Sequence, residues 1–340
     1  MSGGVDSSVA AAILKKQGYD CVGIFMKLWS DSKTAETAAN KCCSIESFEA
    51  ARKVARKLDF PIHILNFQQS FKKQVVDDFL IQFKKGFTPN PCINCNKFIK
   101  FDLLWRKAKI LGCDYLATGH YIKIKNGKLL RAKDQCKDQT YFLYNLKKSQ
   151  LEHLLFPLGD YSKPEVKKIA EKLKLPSANR PESQEICFVP GKNHNEFLRR
   201  YLKLKPGEIV TTEGEVVGQH DGLPLYTLGQ RKGIKVGGIG PFYVVRLDYK
   251  TNDLIVSKDK DDPLLYTKKF RIKNVNWVNE PELNCQVKIR YQAKSVDCKI
   301  IKDVVILSKP QRAITPGQSA VFYKGEQLLG GGTIDKLIGT

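Results

Sequence analysis

Apolar positions along this chain follow two rhythms, a helical one mixed with short strands up to about residue 203 and a strand-like one beyond Pro206. Val9, Ala10, Ala11, Ala12, Ile13 and Leu14 form a run suited to a buried helix, with Gly18 placed to end it. Residues 21–28 (CVGIFMKL) read as a short buried strand and 29–41 as polar loop. A helix follows, its apolar face marked by Ile45, Phe48, Ala51, Val54, Ala55 and Leu58. Residues 61–67 give a second strand, and Phe71, Val75, Phe79, Leu80 and Phe83 mark the next helix. Two prolines and three asparagines make 86–96 (GFTPNPCINCN) a loop. A helix then runs to Gly112, and 114–118 forms a strand ending in Gly119-His120. Strands alternating with helices in this way predict an α/β doubly wound parallel sheet, with ligands gathered beyond the carboxyl ends of the strands.

From Tyr121 the pattern changes. Residues 121–125 alternate, Asn126-Gly127 turns, and 128–131 returns, which predicts a β-hairpin. Ser162 and Glu165 bracket Pro164 as a capping box for a helix through Val166, Ile169, Ala170 and Leu173. Residues 180–191 read as a loop, and Asn193 with Glu196 opens a short basic helix ending near Leu202. Beyond it come two small β-rich units, the last with six short strands spaced as in a barrel or sandwich. The expected division is 1–203, 204–265 and 266–340.

Charge narrows the class of partner. Lys and Arg number 57 against 35 Asp and Glu, a net +22. Such an excess suits a polyanion, because every neutralised phosphate releases counterions; a general lysine bias of composition explains it equally well. No apolar run reaches membrane-spanning length and the start does not read as an export signal, so no membrane partner and a cytoplasmic location are expected. In that setting the ten cysteines read as reactive, metal-binding or buried thiols, with Cys21, Cys113, Cys285 and Cys298 in apolar contexts that favour burial.

The chemistry begins at the first eight residues, MSGGVDSS. Gly3 and Gly4 permit a tight turn and close approach of a ligand to the backbone. A glycine turn feeding a helix presents free N–H groups and the positive end of the dipole, a site for phosphate. Asp6 is unsuited to phosphate itself but suits a Mg²⁺ that escorts a nucleotide. The stretch resembles the SGGxDS loop of the PP-loop ATP-pyrophosphatases, which cleave ATP to AMP and pyrophosphate while adenylating a carbonyl oxygen. In those enzymes the loop follows a buried strand, whereas here Met1 opens the loop directly.

Farther along, FMKLW (25–29), TPNPCINCNKFIKF (88–101), ATGHY (117–121), KDQTYFL (137–143), FPLG (156–159), SQEICF (183–188), HDGL (220–223), YTLGQRKG (226–233), NWV (276–278), QRAITPGQ (311–318) and LGGG (329–332) appear in order. Together they resemble the tRNA-specific 2-thiouridylase family over essentially the whole chain. The resemblance implies adenylation of the wobble uridine of certain tRNAs and replacement of its 2-oxygen by sulfur. Cys187 matches the persulfide carrier, loaded by a sulfur-relay protein or cysteine desulfurase, and Cys95 matches the thiol that completes transfer and leaves a Cys95–Cys187 disulfide. Ser2, Gly3, Gly4, Val5, Asp6, Ser7, Ser8, Met26 and Gly119 match the ATP site. Asn90, Pro91 and Cys92 match the segment facing the flipped base. His120, Lys137, Asp138, Gln139, Arg290, Tyr291 and Gln318 match tRNA contacts, and the family implies a monomer on tRNA. From the residues alone, Arg290-Tyr291 is a cation beside a stacking ring, or an ordinary strand end.

Cys92 departs from the family, many members of which carry an Asp there as the candidate base. The resulting C-x-x-C, with Cys42-Cys43, leaves three readings open: an iron–sulfur cluster on some of Cys42, Cys43, Cys92, Cys95 and Cys187, a four-thiolate zinc site, or a further redox or inert thiol. Two other functions stay open too: a PP-loop ligase acting on a small molecule, and a tRNA-binding protein with an inactive nucleotide site.

Overall fold

The structure, a computed structural model, describes residues 1–31, 44–180, 186–189, 194–234, 236–237 and 240–339. Helix α1 (Val5–Lys16) starts at the glycine pair, with extended Gly4 as its N-cap and no side chain capping it. Its apolar run packs inward: Val9 is fully buried and Ala10, Ala12 and Leu14 nearly so. Gly18 ends it at φ +88°, with Gly18 N–H donating to Lys15 O and Tyr19 N–H to Leu14 O, both at 3.1 Å. Only a residue without Cβ adopts that turn cheaply.

Strand β1 (Gly23–Lys27) pairs in parallel with β2 (Ile62–Asn66). Between them lies α2 (Ile45–Lys57), whose N-cap Ser44 accepts from Ser47 N–H at 3.1 Å. Ala51, Val54 and Ala55 are buried as expected, but Ile45 is 82% exposed. At the first helical position it stands ahead of the turns that pack. A helix over 68–84 buries Phe71, Val75, Phe79 and Phe83, and is widened to a π turn at Lys72–Val76.

The segment 86–96 is not a loop throughout. Helix starts at Pro91, continues through a π stretch at Cys95–Leu103 and ends at Ile110. Asn90 caps it, its side chain accepting from Cys92 N–H at 3.1 Å. Proline at the first position loses no hydrogen bond, and asparagine before it is a preferred cap, so these residues start a helix rather than forbid one.

Strand β3 (Leu116–Ala117) leads into the hairpin of β4 (Lys123–Lys125) and β5 (Lys128–Leu130), turned by Asn126 and Gly127 at positive φ. β3 pairs in parallel with β6 (Leu154–Leu155). Among the described residues no ladder joins β1 to β3; Ile24 and Leu116 instead line a common cleft. The Ser162–Glu165 capping box is present, with Ser162 N–H donating to Glu165 Oε2 at 2.6 Å, and opens the helix Lys163–Lys172. The basic helix is His194–Tyr201; its expected cap, Asn193, lies outside the described residues.

Four strands, β7 (Gly207–Thr211), β8 (Val216–His220), β9 (Tyr243–Asp248) and β10 (Asp253–Ser257), make a sheet in the order β8-β7-β10-β9. The last six are β11 (Tyr266–Trp277), β12 (Asn284–Lys288), β13 (Val296–Ile301), β14 (Val304–Arg312), β15 (Ser319–Lys324) and β16 (Gln327–Ile338). Their order β11-β14-β13-β12-β15-β16 closes through a β11–β16 pairing into a barrel. Strict alternation drives closure: along β13 Val296, Cys298 and Ile300 are buried while the residues between them are exposed. Cys285 and Cys298 face each other inside it, sulfur to sulfur 3.7 Å, and Cys21 and Cys113 are half-buried. Among the described residues no helix is long and apolar enough to cross a membrane.

Candidate functional site

The amino-terminal loop is held open by its own backbone. Gly3 sits at φ +74°, and a Cβ there would come within 2.3 Å of Ser47 O. Ser2 and Ser7 share a hydrogen bond of 3.2 Å between hydroxyls, and Ser8 Oγ donates to Gly4 O at 2.9 Å. The first N–H groups of α1 carry no side-chain cap, which leaves an anion site at the dipole's positive end. Gly119, just past β3, packs against the loop so closely that a Cβ would lie 2.8 Å from Asp6 C and 2.9 Å from Ser7 N.

A cleft of about 1660 Å³ opens at this loop. Ser2, Gly4, Val5, Asp6 and Ser7 line it, with Met26 from the end of β1 and Gly119 from the end of β3. Gly3 and Ser8 stand behind that surface, Ser8 fully buried. Pro91, Cys92 and Cys95 enter from the helix that Asn90 caps, and Cys187 from the 186–189 segment. The two cysteines expected to cooperate thus border one cleft with the nucleotide loop. Cys92 is exposed, Cys95 buried and Cys187 half-buried.

The expected tRNA-contacting residues divide into two groups. Lys137, Gln139, His120 and Tyr291 line the cleft. Gln139 Oε1 accepts from Tyr121 N–H at 3.0 Å, and the Tyr291 ring lies 4.5 Å from that of Phe142. His120 shares a 2.8 Å hydrogen bond with Thr118 Oγ1, and burial first, then Lys100, holds its imidazole well below the ordinary histidine range. The others, Asp138, Arg290 and Gln318, are held by hydrogen bonds within the protein. Asp138 is 3% exposed and accepts from Ala132 N–H and from the Thr140 hydroxyl at 3.1 and 2.6 Å. Arg290 donates to Arg312 O at 2.6 Å. Gln318 Nε2 donates to Thr88 O at 2.7 Å, and Thr88 N–H to Pro316 O at 2.9 Å, which docks the barrel on the segment leading to Asn90.

Three side chains that sequence reasoning missed also shape the loop. Lys163, almost buried, places Nζ 2.6 Å from Asp6 Oδ1, and Tyr121 donates its hydroxyl to the same oxygen at 2.8 Å. Arg180 donates to Gly3 O at 3.2 Å and to Ser47 Oγ at 3.1 Å, binding the loop to α2. Lys163 and Arg180 are basic residues among many, and Tyr121, although it ends the ATGHY motif, carries no local sign of its contact with Asp6. Asp6 brings a carboxylate to the cleft, the oxygen chemistry that a Mg²⁺ bound to a nucleotide would need. Among the described residues no three His, Cys, Asp or Glu side chains converge as a metal site. Cys42 and Cys43 lie outside the described residues.

Three family models match the chain. They are the tRNA methyl transferase HUP domain over residues 1–191, the tRNA methyl transferase PRC-barrel domain over 195–258, and the aminomethyltransferase β-barrel domain over 267–334. The tRNA-specific 2-thiouridylase MnmA of Carboxydothermus hydrogenoformans is 46% identical over 99% of this chain and 96% of its own length. That of Clostridioides difficile is 44% identical over 99% of this chain and 97% of its own. Family models over all three parts and relatives aligned almost end to end at this identity lead to one conclusion: the chain belongs to the tRNA-specific 2-thiouridylase family.

Proposed function

We propose that this chain is an ATP-dependent sulfurtransferase that converts the wobble uridine of tRNA to 2-thiouridine. The uracil 2-oxygen attacks the α-phosphorus of ATP, pyrophosphate departs, and the poor leaving group becomes an adenylate. The terminal sulfur of a persulfide on Cys187 adds to C2, and AMP leaves with the original oxygen. Cys95 thiolate then attacks Cys187 Sγ. The bond from that sulfur to the transferred one breaks, its electron pair remains on the nucleoside sulfur, and a Cys95–Cys187 disulfide is left. A dithiol reductant returns two electrons, and a relay protein or cysteine desulfurase reloads Cys187. A Mg²⁺ carried in with the nucleotide would neutralise phosphate charge beside Asp6. Asn90, Pro91 and Cys92 face the flipped base, and Lys137, Gln139 and Tyr291 border its approach. The protein works as a cytoplasmic monomer on tRNA in this reading.

The observation that carries the reading is the shared border: Cys95 and Cys187, far apart in sequence, line the cleft that the glycine loop and Met26 line. A net charge of +22 suits the polyanionic substrate. A second reading is a tRNA binder without turnover, which would share the same cleft and the same basic charge. Protein incubated with ATP, tRNA and a persulfide donor separates them. AMP and 2-thiouridine are expected together by mass spectrometry. Cys95→Ser and Cys187→Ser should lower thiolation at least about a hundredfold while adenylate still forms. Full thiolation by both variants overturns the mechanism; wild type that forms no AMP favours the binder.

A further inference from the structure

We infer that Lys163 is a pyrophosphate-binding residue, one that exchanges its ion pair with Asp6 for the β- and γ-phosphates when nucleotide binds. The inference rests on the reading of the loop as an ATP site. Its starting point is a charge conflict: Asp6, in the first turn of α1, puts a carboxylate where the helix end would otherwise attract a polyphosphate. Lys163 resolves it. Its side chain is only 9% exposed, its Nζ lies 2.6 Å from Asp6 Oδ1, and both residues line the cleft.

The site is built to place that ammonium. Ser162 caps the helix Lys163–Lys172, so Lys163 is its first residue, and Lys163 N–H is fixed by Asp134 Oδ2 at 2.9 Å. Tyr121 serves Asp6 from the other side, with its hydroxyl 2.8 Å from Oδ1 and its ring 5.9 Å from Nζ. A lysine is a compact charge on a flexible stem, able to change partners without moving backbone. A divalent cation arriving with ATP competes for the Asp6 carboxylate, because hard cations prefer such oxygens. The ammonium then meets phosphate oxygens at the same helix end. AMP lacks the β- and γ-phosphates and gains nothing from it.

The test is equilibrium binding by calorimetry of Mg·ATP, Mg·pyrophosphate and AMP to wild type, Lys163→Met, Lys163→Arg and Tyr121→Phe. Lys163→Met should weaken Mg·ATP and Mg·pyrophosphate about tenfold or more and leave AMP within about twofold, tenfold being about 1.4 kcal/mol. Lys163→Arg should recover most of the loss, and Tyr121→Phe should keep the wild-type ATP-to-AMP ratio. Equal weakening of ATP and AMP by Lys163→Met would mean that the lysine only shapes the loop, and an unchanged ratio would also sink the inference. If Lys163→Met fails to fold, Lys163→Gln is read by the same criteria. Wild type that binds neither Mg·ATP nor Mg·pyrophosphate removes the ATP reading and this inference with it.

Discussion

At the residue scale, His120 carries a consequence for pH. Its imidazole is buried between Phe101 and Phe156, and burial with Lys100 depresses its proton affinity well below the free value of 6.5. The unfolded chain therefore binds a proton that the fold refuses. Stability from this group is complete above pH 6.5 and falls as pH drops toward the folded value, by at most about 1.4 kcal/mol per pH unit. His194 and His220 are shifted the same way by burial. Urea unfolding at pH 7.5, 6.5 and 5.5 should show a declining midpoint, with a shallower decline in His120→Phe, which keeps the ring packing. An unchanged slope would show that the imidazole is protonated in the fold. Residues inside short motifs, such as Cys95, Cys187 and Gly119, were legible in the sequence because neighbours mark them. Lys163 and Arg180 were not: they are two of 57 basic residues, and only the fold brings them to the loop.

At the element scale, the helix that presents Cys92 and Cys95 hangs on one cap. Asn90 accepts from Cys92 N–H at 3.1 Å and Pro91 fixes the first turn. Asn90→Ala should cost about 1 kcal/mol in thermal or urea unfolding, while Asn90→Asp, an equal cap, should cost little. The activity of Asn90→Ala should fall further than its stability does, since the first turn positions both cysteines; a parallel loss would contradict that. The same segment shows why sequence reading fell short here. Prolines and asparagines read as loop-formers, yet their order, asparagine then proline, is a helix start. The hairpin at Asn126-Gly127 and the capping box at Ser162 were legible because those signals are local and admit one geometry. Which strands pair, β1 with β2 and β3 with β6, is a long-range relation that periodicity does not report.

At the scale of the whole molecule, the barrel is tied to the cleft-bearing part by more than the chain. Hairpin β4–β5 continues the barrel sheet through Leu130 opposite Gln327. Tyr141 donates its hydroxyl to Ser319 O at 2.9 Å, the hydroxyls of Tyr144 and Ser319 lie 3.0 Å apart, and Asn276 Nδ2 donates to Tyr144 O at 2.7 Å. Tyr141, Tyr144 and Tyr323 are almost wholly buried at this junction, so parting the two halves would expose large rings and leave polar atoms unsatisfied. Such a junction predicts joint unfolding. The tryptophans report on it by position: Trp105 stacks on His153 in the amino-terminal part, and Trp277 lies against Phe322 in the barrel. In variants retaining one or the other, with the remaining two tryptophans changed to phenylalanine, fluorescence melts should coincide within about 2 °C. Tyr144→Phe with Ser319→Ala removes one tie, worth about 1 kcal/mol, and should lower both melts together. A barrel signal that melts separately, with Tyr144 and Ser319 intact, would show that the contacts of Tyr141, Tyr144, Asn276 and Ser319 do not hold the two parts as one cooperative unit.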